Sequence, residues 1–342
     1  MRIAIVNDLK LAIEVLRRAV AMIPGATIAW IAEDGKQAVE KCAQDRPDII
    51  LMDMLMPVMN GVEATRRIMA KTPCPILVVT ATVEGNSSKV FEALGAGALD
   101  AVETPGLGPG GTVERAESLV RKVQAIRMIS GGGGPSAAPA FVPVSTETQL
   151  PTPPLLAIGA STGGPMALAK ILKALPKPVK WPVVIVQHVD IQFAEGLASW
   201  LSGETGHSIR IVVPGESVMP GRIALAATGD HLVLDSGGRL VYTAHPKEEV
   251  FRPSVDVFFE SLCGPLVARG VAVVLTGMGR DGASGMTKLK RAGWHTIAQD
   301  RESSVVWGMP GACVEAGAAM EVLHADAIGG AIVQAMSKKG AG

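Results

Sequence analysis

The sequence has no excess of charge of either sign: 32 lysines and arginines balance 32 aspartates and glutamates. The balance also holds locally, with 15 of each sign in residues 1–127 and 17 of each in the remainder. A general binder of nucleic acid or another polyanion carries a basic excess, so that class is excluded. Cysteine is scarce, and Cys42, Cys74, Cys263 and Cys313 lie far apart. No CxxC or Cys/His spacing for zinc occurs, which predicts reduced thiols in a reducing, cytoplasmic setting. No apolar run approaches the roughly 20 residues of a membrane span, so no membrane insertion is expected. The start, Met1-Arg2-Ile3-Ala4-Ile5-Val6-Asn7-Asp8, turns acidic after a short apolar run and reads as a strand, not a signal peptide. What is plentiful is hydrophobic residues, 48% of 342. That excludes a disordered chain and suffices for the cores of about two domains.

One stretch breaks the pattern. From Ser130-Gly131-Gly132-Gly133-Gly134-Pro135 to Pro154 the chain is rich in Gly, Pro, Ser and Thr and lacks periodic apolar residues. It cannot bury enough surface to offset its ordering entropy, and it reads as a linker. The expected organisation is a domain over 1–128, a flexible Gly/Pro-rich linker over 129–152 and a second domain over 153–342.

In the first domain, apolar runs at Ile3–Val6, Thr27–Ile31, Asp48–Met52, Pro75–Val79 and Leu99–Val102 alternate with helical spacing. The helical stretches are Leu11–Met22, Lys36–Cys42, Gly61–Ala70, Ser87–Leu94 and Val113–Ile129. Five βα units predict a flavodoxin-like α/β fold with a parallel sheet. The second domain has strand runs at Leu155–Ile158, Val183–Val186, Ile209–Val213, Val271–Leu275 and His295–Ala298. Helices are predicted at Met166–Ala174, Val255–Val267 and Ala283–Arg291, with a hairpin of His231–Asp235 and Arg239–Thr243 added to the sheet. This is a second doubly wound, mostly parallel α/β domain.

Ligands of such sheets sit beyond the carboxyl ends of the strands. In the first domain Asp8 ends the first strand, Asp53 the third and Thr80 the fourth. Two carboxylates and a backbone carbonyl suit a small hard cation such as Mg²⁺. A carboxylate beside that cation can accept a phosphoryl group, because the metal neutralises charge on the transferring oxygens. A single strand-end Asp is as often a cap. Here Asp53 is followed by Met56-Pro57 and Asn60-Gly61. With that run, residues 1–128 resemble the receiver domains of response regulators. The resemblance implies that Asp53 is phosphorylated by a histidine kinase and that Asp8, Asp53 and the Leu55 carbonyl hold Mg²⁺. Thr80 is then the hydroxyl that meets the phosphate. Two positions depart from the pattern. Asn7-Asp8 stands where two acids are usual, and Thr104, before Pro105, stands where a lysine is usual.

In the second domain the first strand runs into Gly159-Ala160-Ser161-Thr162-Gly163-Gly164-Pro165. A tight glycine turn of this kind cradles a phosphate, raises a nucleophile over the sheet edge, or simply caps a helix. All six histidines lie in this half. His188 follows a strand end, while His207, His231, His245, His295 and His324 sit on turns, flanks or strand starts, where solvation is the ordinary role. A second glycine turn, Thr276-Gly277-Met278-Gly279-Arg280-Asp281-Gly282, carries an acid. Ser161, His188 and Asp281 thus stand at strand ends that can meet, as nucleophile, general base and orienting carboxylate.

These turns, with Gln187-His188, Arg252-Pro253-Ser254-Val255-Asp256 and Ile297-Ala298-Gln299-Asp300, resemble the chemotaxis-type protein-glutamate methylesterases, the CheB family. The missing lysine and the Asn7-Asp8 pair resemble its Wsp-type branch. The resemblance implies a phosphorylation-regulated serine hydrolase that removes methyl esters from glutamates of methyl-accepting receptors and deamidates receptor glutamines. It implies Ser161, His188 and Asp281 as the triad, with Thr162 and Met278 beside them and the Met278 backbone as oxyanion donor. Ester hydrolysis itself is expected to need no cofactor. Arg252 reads equally as a substrate-carboxylate anchor or as a tie for its own loop. A receiver tethered by about 20 residues is held near the catalytic domain, where it is expected to cover the Ser161 pocket until phosphorylated. The alternative is a non-enzymatic response regulator whose glycine loop binds a nucleotide or partner. The loop spacing departs from G-x-G-x-x-G, and His188 takes the strand end where an acid is expected.

Overall fold

The computed structural model describes residues 1–80, 87–128, 153–249, 251–264 and 267–339. The chain divides into two compact units, 1–135 and 136–342. The linker expected over 129–152 lies outside the described residues.

The first unit is built from β1 (Arg2–Val6), α1 (Lys10–Ala21), β2 (Thr27–Ala32), α2 (Gly35–Gln44), β3 (Ile49–Met52), α3 (Gly61–Lys71), β4 (Ile76–Thr80), α4 (Ser87–Gly95) and β5 (Asp100–Glu103). The strand order β2-β1-β3-β4-β5, all parallel, is the flavodoxin-like order expected from sequence. Strands β3 and β4 are buried along their whole length because helices cover both faces. Asp34 and Asn60 cap α2 and α3, accepting the Gln37 and Glu63 N–H groups at 2.9 Å each.

One helix differs from expectation. The apolar stripe over 113–129 is not one helix: β6 (Gly106–Leu107) and β7 (Val113–Glu114) form a short antiparallel ribbon. Arg115 then takes a φ of 59°, and only after it does α5 (Glu117–Met128) begin. Val113 still packs against the same core as Leu119 and Val123, which is why its spacing mimicked a helical turn.

The second unit contains β8 (Leu156–Ala160), α6 (Gly164–Lys173), β9 (Val183–Gln187), α7 (Ile191–Thr205), β10 (Ile209–Ile211), β11 (Glu216–Ser217), β12 (Ile223–Leu225), β13 (His231–Leu234) and β14 (Arg239–Thr243). These are followed by α8 (Val255–Ser261), β15 (Val271–Val274), α9 (Ala283–Arg291), β16 (His295–Gln299), α10 (Met309–Glu315), β17 (Glu321–Leu323) and α11 (Ala325–Lys339). The main sheet runs β10-β12-β9-β8-β15-β16-β17, and every pairing is parallel. From β8 the chain first moves to β9 on one side and later returns to β15 on the other. The carboxyl end of β8 is therefore the topological switch point.

Two expectations are corrected. The β13–β14 hairpin forms in the expected place but does not join the main sheet; it pairs with β11 in a separate three-stranded antiparallel sheet. Its apolar face, Leu232, Leu234 and Leu240, belongs to one core with Phe258, Phe259 and Leu262. Helix α8 ends at Ser261 rather than 267, with Leu262 as its cap.

Candidate active site

Strands β9, β8 and β15 are neighbours, so the residues that follow them emerge side by side. Ala160 pairs with Gln187, and the His188 N–H continues that ladder to the Ala160 carbonyl at 2.9 Å. The nucleophile loop is tied to the third turn by the Ser161 N–H, which donates to the Thr276 carbonyl at 3.1 Å. The Thr276 hydroxyl in turn donates to the Thr162 carbonyl at 2.9 Å. Gly163, at φ 78°, makes the left-handed turn that lets α6 start directly behind Ser161. Gly277 allows the two turns to touch: a Cβ there would lie 2.7 Å from the Ser161 Cβ and 2.4 Å from the Met309 sulfur.

Of the three residues singled out in the sequence, two are in direct contact. His188 Nε2 lies 2.8 Å from Asp281 Oδ2, with side chains only 9% and 5% exposed. His188 Nδ1 is buried and has no hydrogen-bond partner among the described residues. Ser161 is buried in the adjoining turn, but no hydrogen bond joins it to His188 among the described contacts. Phe251 stacks flat on the imidazole, with ring centroids 4.5 Å apart and planes 3° from parallel. The Gln187 amide donates to both the Ser161 carbonyl, at 2.8 Å, and the His188 carbonyl, at 3.0 Å. Burial pushes the Asp281 carboxyl up. The bond and charge of His188, with the Asp256 and Val255 N–H groups, outweigh that and hold it below the usual carboxylate range.

Thr162 is buried and Met278 half-buried, each on one of the glycine turns that carry Ser161 and Asp281. Among the described residues the Met278 N–H has no protein acceptor. Arg252 faces carbonyls rather than an open pocket: it donates to Ala244 at 3.2 Å and Lys247 at 3.1 Å, with Asp230 at 3.8 Å. These contacts favour the loop-tie reading of Arg252. Two histidines expected to be solvated are buried instead. His207 bonds the Leu172 carbonyl, and His231 is fully enclosed. Sequence reading also missed Phe251, and it noted Ser254 only as part of a motif. Neither has a periodicity that would single it out.

In the first unit, β1 and β3 pair in register, Val6 opposite Met52, so Asp8 and Asp53 meet at one sheet end with Thr80 beyond them. Asp53 is nearly enclosed, and its Oδ1 accepts the Met54 N–H at 2.7 Å. Burial, with the Asp8 charge added, pushes its carboxyl up to about 6 against the backbone N–H groups of Met54 and Leu55. Asp8 is exposed, and Asn7 spends its side-chain oxygen on the Leu9 N–H at 2.8 Å. Thr104 donates its N–H to the Thr80 carbonyl at 2.9 Å. Two like charges held together and an oxygen-only donor set fit a hard divalent cation.

The folds and their two sheet-end sites define a response-regulator receiver joined to a doubly wound α/β hydrolase domain. The family model for the response regulator receiver domain matches residues 3–106, and that for CheB methylesterase matches 156–332. The chain belongs to the CheB methylesterase family. It is 48% identical to the protein-glutamate methylesterase/protein-glutamine glutaminase of group 3 operon from Pseudomonas putida, over 99% of this chain and 100% of that one. It is 49% identical to protein-glutamate methylesterase/protein-glutamine glutaminase 3 of Pseudomonas aeruginosa, over 96% of this chain and 97% of that one. Among solved structures, the Thermotoga maritima CheB methylesterase catalytic domain aligns with a TM-score of 0.51 and 35% identity, covering 53% of this chain and 97% of that one. Family membership sets aside the reading of a non-enzymatic nucleotide binder. Among the described residues, no helix is long and apolar enough to cross a membrane.

Proposed function

We propose that this methylesterase hydrolyses methyl esters of glutamates, and deamidates glutamines, in methyl-accepting receptors, with Ser161, His188 and Asp281 as its triad. The observation that carries the reading is the His188–Asp281 contact of 2.8 Å at the strand ends flanking Ser161, with the opposite ring nitrogen unpartnered. The Asp281 bond fixes the proton on Nε2 and leaves Nδ1 as the basic nitrogen. Ser161 Oγ attacks the ester carbonyl while Nδ1 takes its proton. The tetrahedral oxyanion is met by the Met278 N–H, with Thr162 beside it. The imidazolium returns the proton to the methoxy oxygen, and methanol leaves. Water, activated by the same nitrogen, then hydrolyses the Ser161 acyl ester and releases the glutamate. With a glutamine substrate the leaving group is ammonia.

The receiver, residues 1–128, is joined to the catalytic domain, 153–342, through 129–152. It is phosphorylated on Asp53 by a histidine kinase in the cytoplasm and thereby regulates the esterase. Asp8, Asp53 and the Leu55 carbonyl would hold Mg²⁺, which supplies charge neutralisation during phosphoryl transfer. The Thr80 hydroxyl, at the end of β4, would meet the phosphate. Thr104 offers a hydroxyl where a cation would attract the phosphate, so switching rests more heavily on Thr80 and the metal. The test is methanol release from a methylated receptor, with and without a small-molecule phosphodonor. His188→Ala is expected to lose activity at least a thousandfold, and Asp53→Asn to lose the response to phosphodonor. A wild-type rate in folded His188→Ala rules the triad out.

A further inference from the structure

The Arg252–Asp256 run has no catalytic step in the mechanism above, yet its last three residues all bond the Asp281 carboxylate. We propose that Ser254 and His231 are positioning residues for ester hydrolysis, locking Asp281 in the one orientation that aims it at His188. The inference rests on the triad reading of Ser161, His188 and Asp281.

The carboxylate is saturated with donors. Oδ1 accepts the Ser254 hydroxyl and the Asp256 N–H, each at 2.8 Å. Oδ2 accepts the Val255 N–H at 2.7 Å and His188 Nε2 at 2.8 Å. Rotating the carboxylate away from His188 would therefore strain or break bonds to three consecutive residues. Ser254 has one hydroxyl proton, and with it committed to Asp281 its oxygen accepts the Val257 N–H at 3.3 Å.

His231 fixes Ser254 from behind. Its Nδ1 accepts the Ser254 N–H at 3.2 Å, and its Nε2 lies 3.0 Å from the Pro246 carbonyl. Those partners allow only the neutral ring with the proton on Nε2. Burial agrees, pulling the imidazole pKa down. The donors point one way, from His231 Nε2 to Pro246, from Ser254 N to His231 and from Ser254 Oγ to Asp281. Arg252 anchors the same loop through the Ala244 and Lys247 carbonyls. The charged groups around the cluster are Asp256 and Glu249 towards Asp281, with Glu260, paired to Lys288, behind Asp256, and Arg252 and Asp230 towards His231; Cys313 faces Asp256, Asp281 and Arg280. Burial and the Asp281 charge push the Asp256 carboxyl well above the usual carboxylate range, so a second charge beside Asp281 is disfavoured.

The test is Ser254→Gly, because glycine is tolerated at a helix N-cap nearly as well as serine. Methanol release from methylated receptor is measured across pH. Loss of the hydroxyl frees the carboxylate, and kcat is expected to fall about tenfold to a hundredfold with KM unchanged. The carboxylate that has lost a donor holds more charge against the imidazolium, so the acid limb of the profile moves to higher pH. Wild-type kcat with an unmoved limb overturns the proposal. Should Ser254→Gly not fold, the pair His231→Asn and His231→Leu replaces it. Asn keeps an acceptor for the Ser254 N–H and retains more activity; equal rates in the two overturn the proposal. His188→Ala is assayed alongside. If it is inactive while Ser254→Gly is unimpaired, only the positioning role falls; if it is active, the triad reading falls with it.

Discussion

Replacing Asp281 by asparagine removes one charge and one acceptor while keeping the shape. The carboxylate takes two hydrogen bonds on each oxygen. An amide has one oxygen and one NH₂, so in either orientation its NH₂ faces two groups that now donate. Facing His188, it meets the Val255 N–H and forces the imidazole proton onto Nδ1, which abolishes the base. Facing Ser254, it meets the Asp256 N–H, and the serine hydroxyl must turn to accept. Each hydrogen bond to a charged group is worth about 1.5–3 kcal/mol, so the loss of the one fixed N–H bond in either orientation predicts a fall in stability of about 1.5–3 kcal/mol. Catalysis falls further, because a wrong tautomer in this arrangement costs about four orders of magnitude in kcat. Thermal unfolding and methanol release, measured on the same preparation, read both quantities. An Asp281→Asn protein within tenfold of the wild-type kcat would refute the orienting role assigned to this carboxylate.

Asp53 gives a pH-dependent prediction. Its folded-state pKa, about 6, lies above the ordinary value of 3.8, so the stability linked to its protonated form is present below pH 4 and is lost as pH rises through 6. At about 1.4 kcal/mol per pH unit, Asp53→Asn is expected to stabilise the receiver by up to about 3 kcal/mol at pH 7.5, with the gain vanishing below pH 4. Mg²⁺ narrows the difference by raising the wild-type unfolding midpoint; a gain independent of both pH and Mg²⁺ would contradict the buried like-charge site. Gly277→Ala places a methyl group against Ser161 and Met309. It is expected to cost about 1–3 kcal/mol of stability and about a hundredfold in kcat, and a fully active variant would show that the contact between the two turns is dispensable.

The sheets were legible because parallel strands with both faces covered become unbroken apolar runs, as in Val183–Gln187 and Val271–Val274. The site was legible where it stands at strand ends, since adjacency in a parallel sheet brings sequence-distant turns together. Strand β12, Ile223–Leu225, was missed because three residues carry no periodicity, although it sits between β10 and β9. The hairpin was found but its partner was not, because β11 offers only Glu216 and Ser217 to the pairing. His231 and Ser254 were out of reach for another reason. Their contacts to each other and to Asp281 span 23 and 27 residues and pass through loops, where spacing says nothing about proximity. The start of α5 was misplaced because Val113 contributes to the helix's own core from outside the helix.

The nucleophile assignment stands behind every step of the chemistry, and Ser161→Ala tests it with the smallest change: one oxygen removed from a buried side chain. Methanol release from methylated receptor by this folded variant is expected to fall to a residual level, about a thousandfold or more below wild type. A rate equal to wild type would contradict the account.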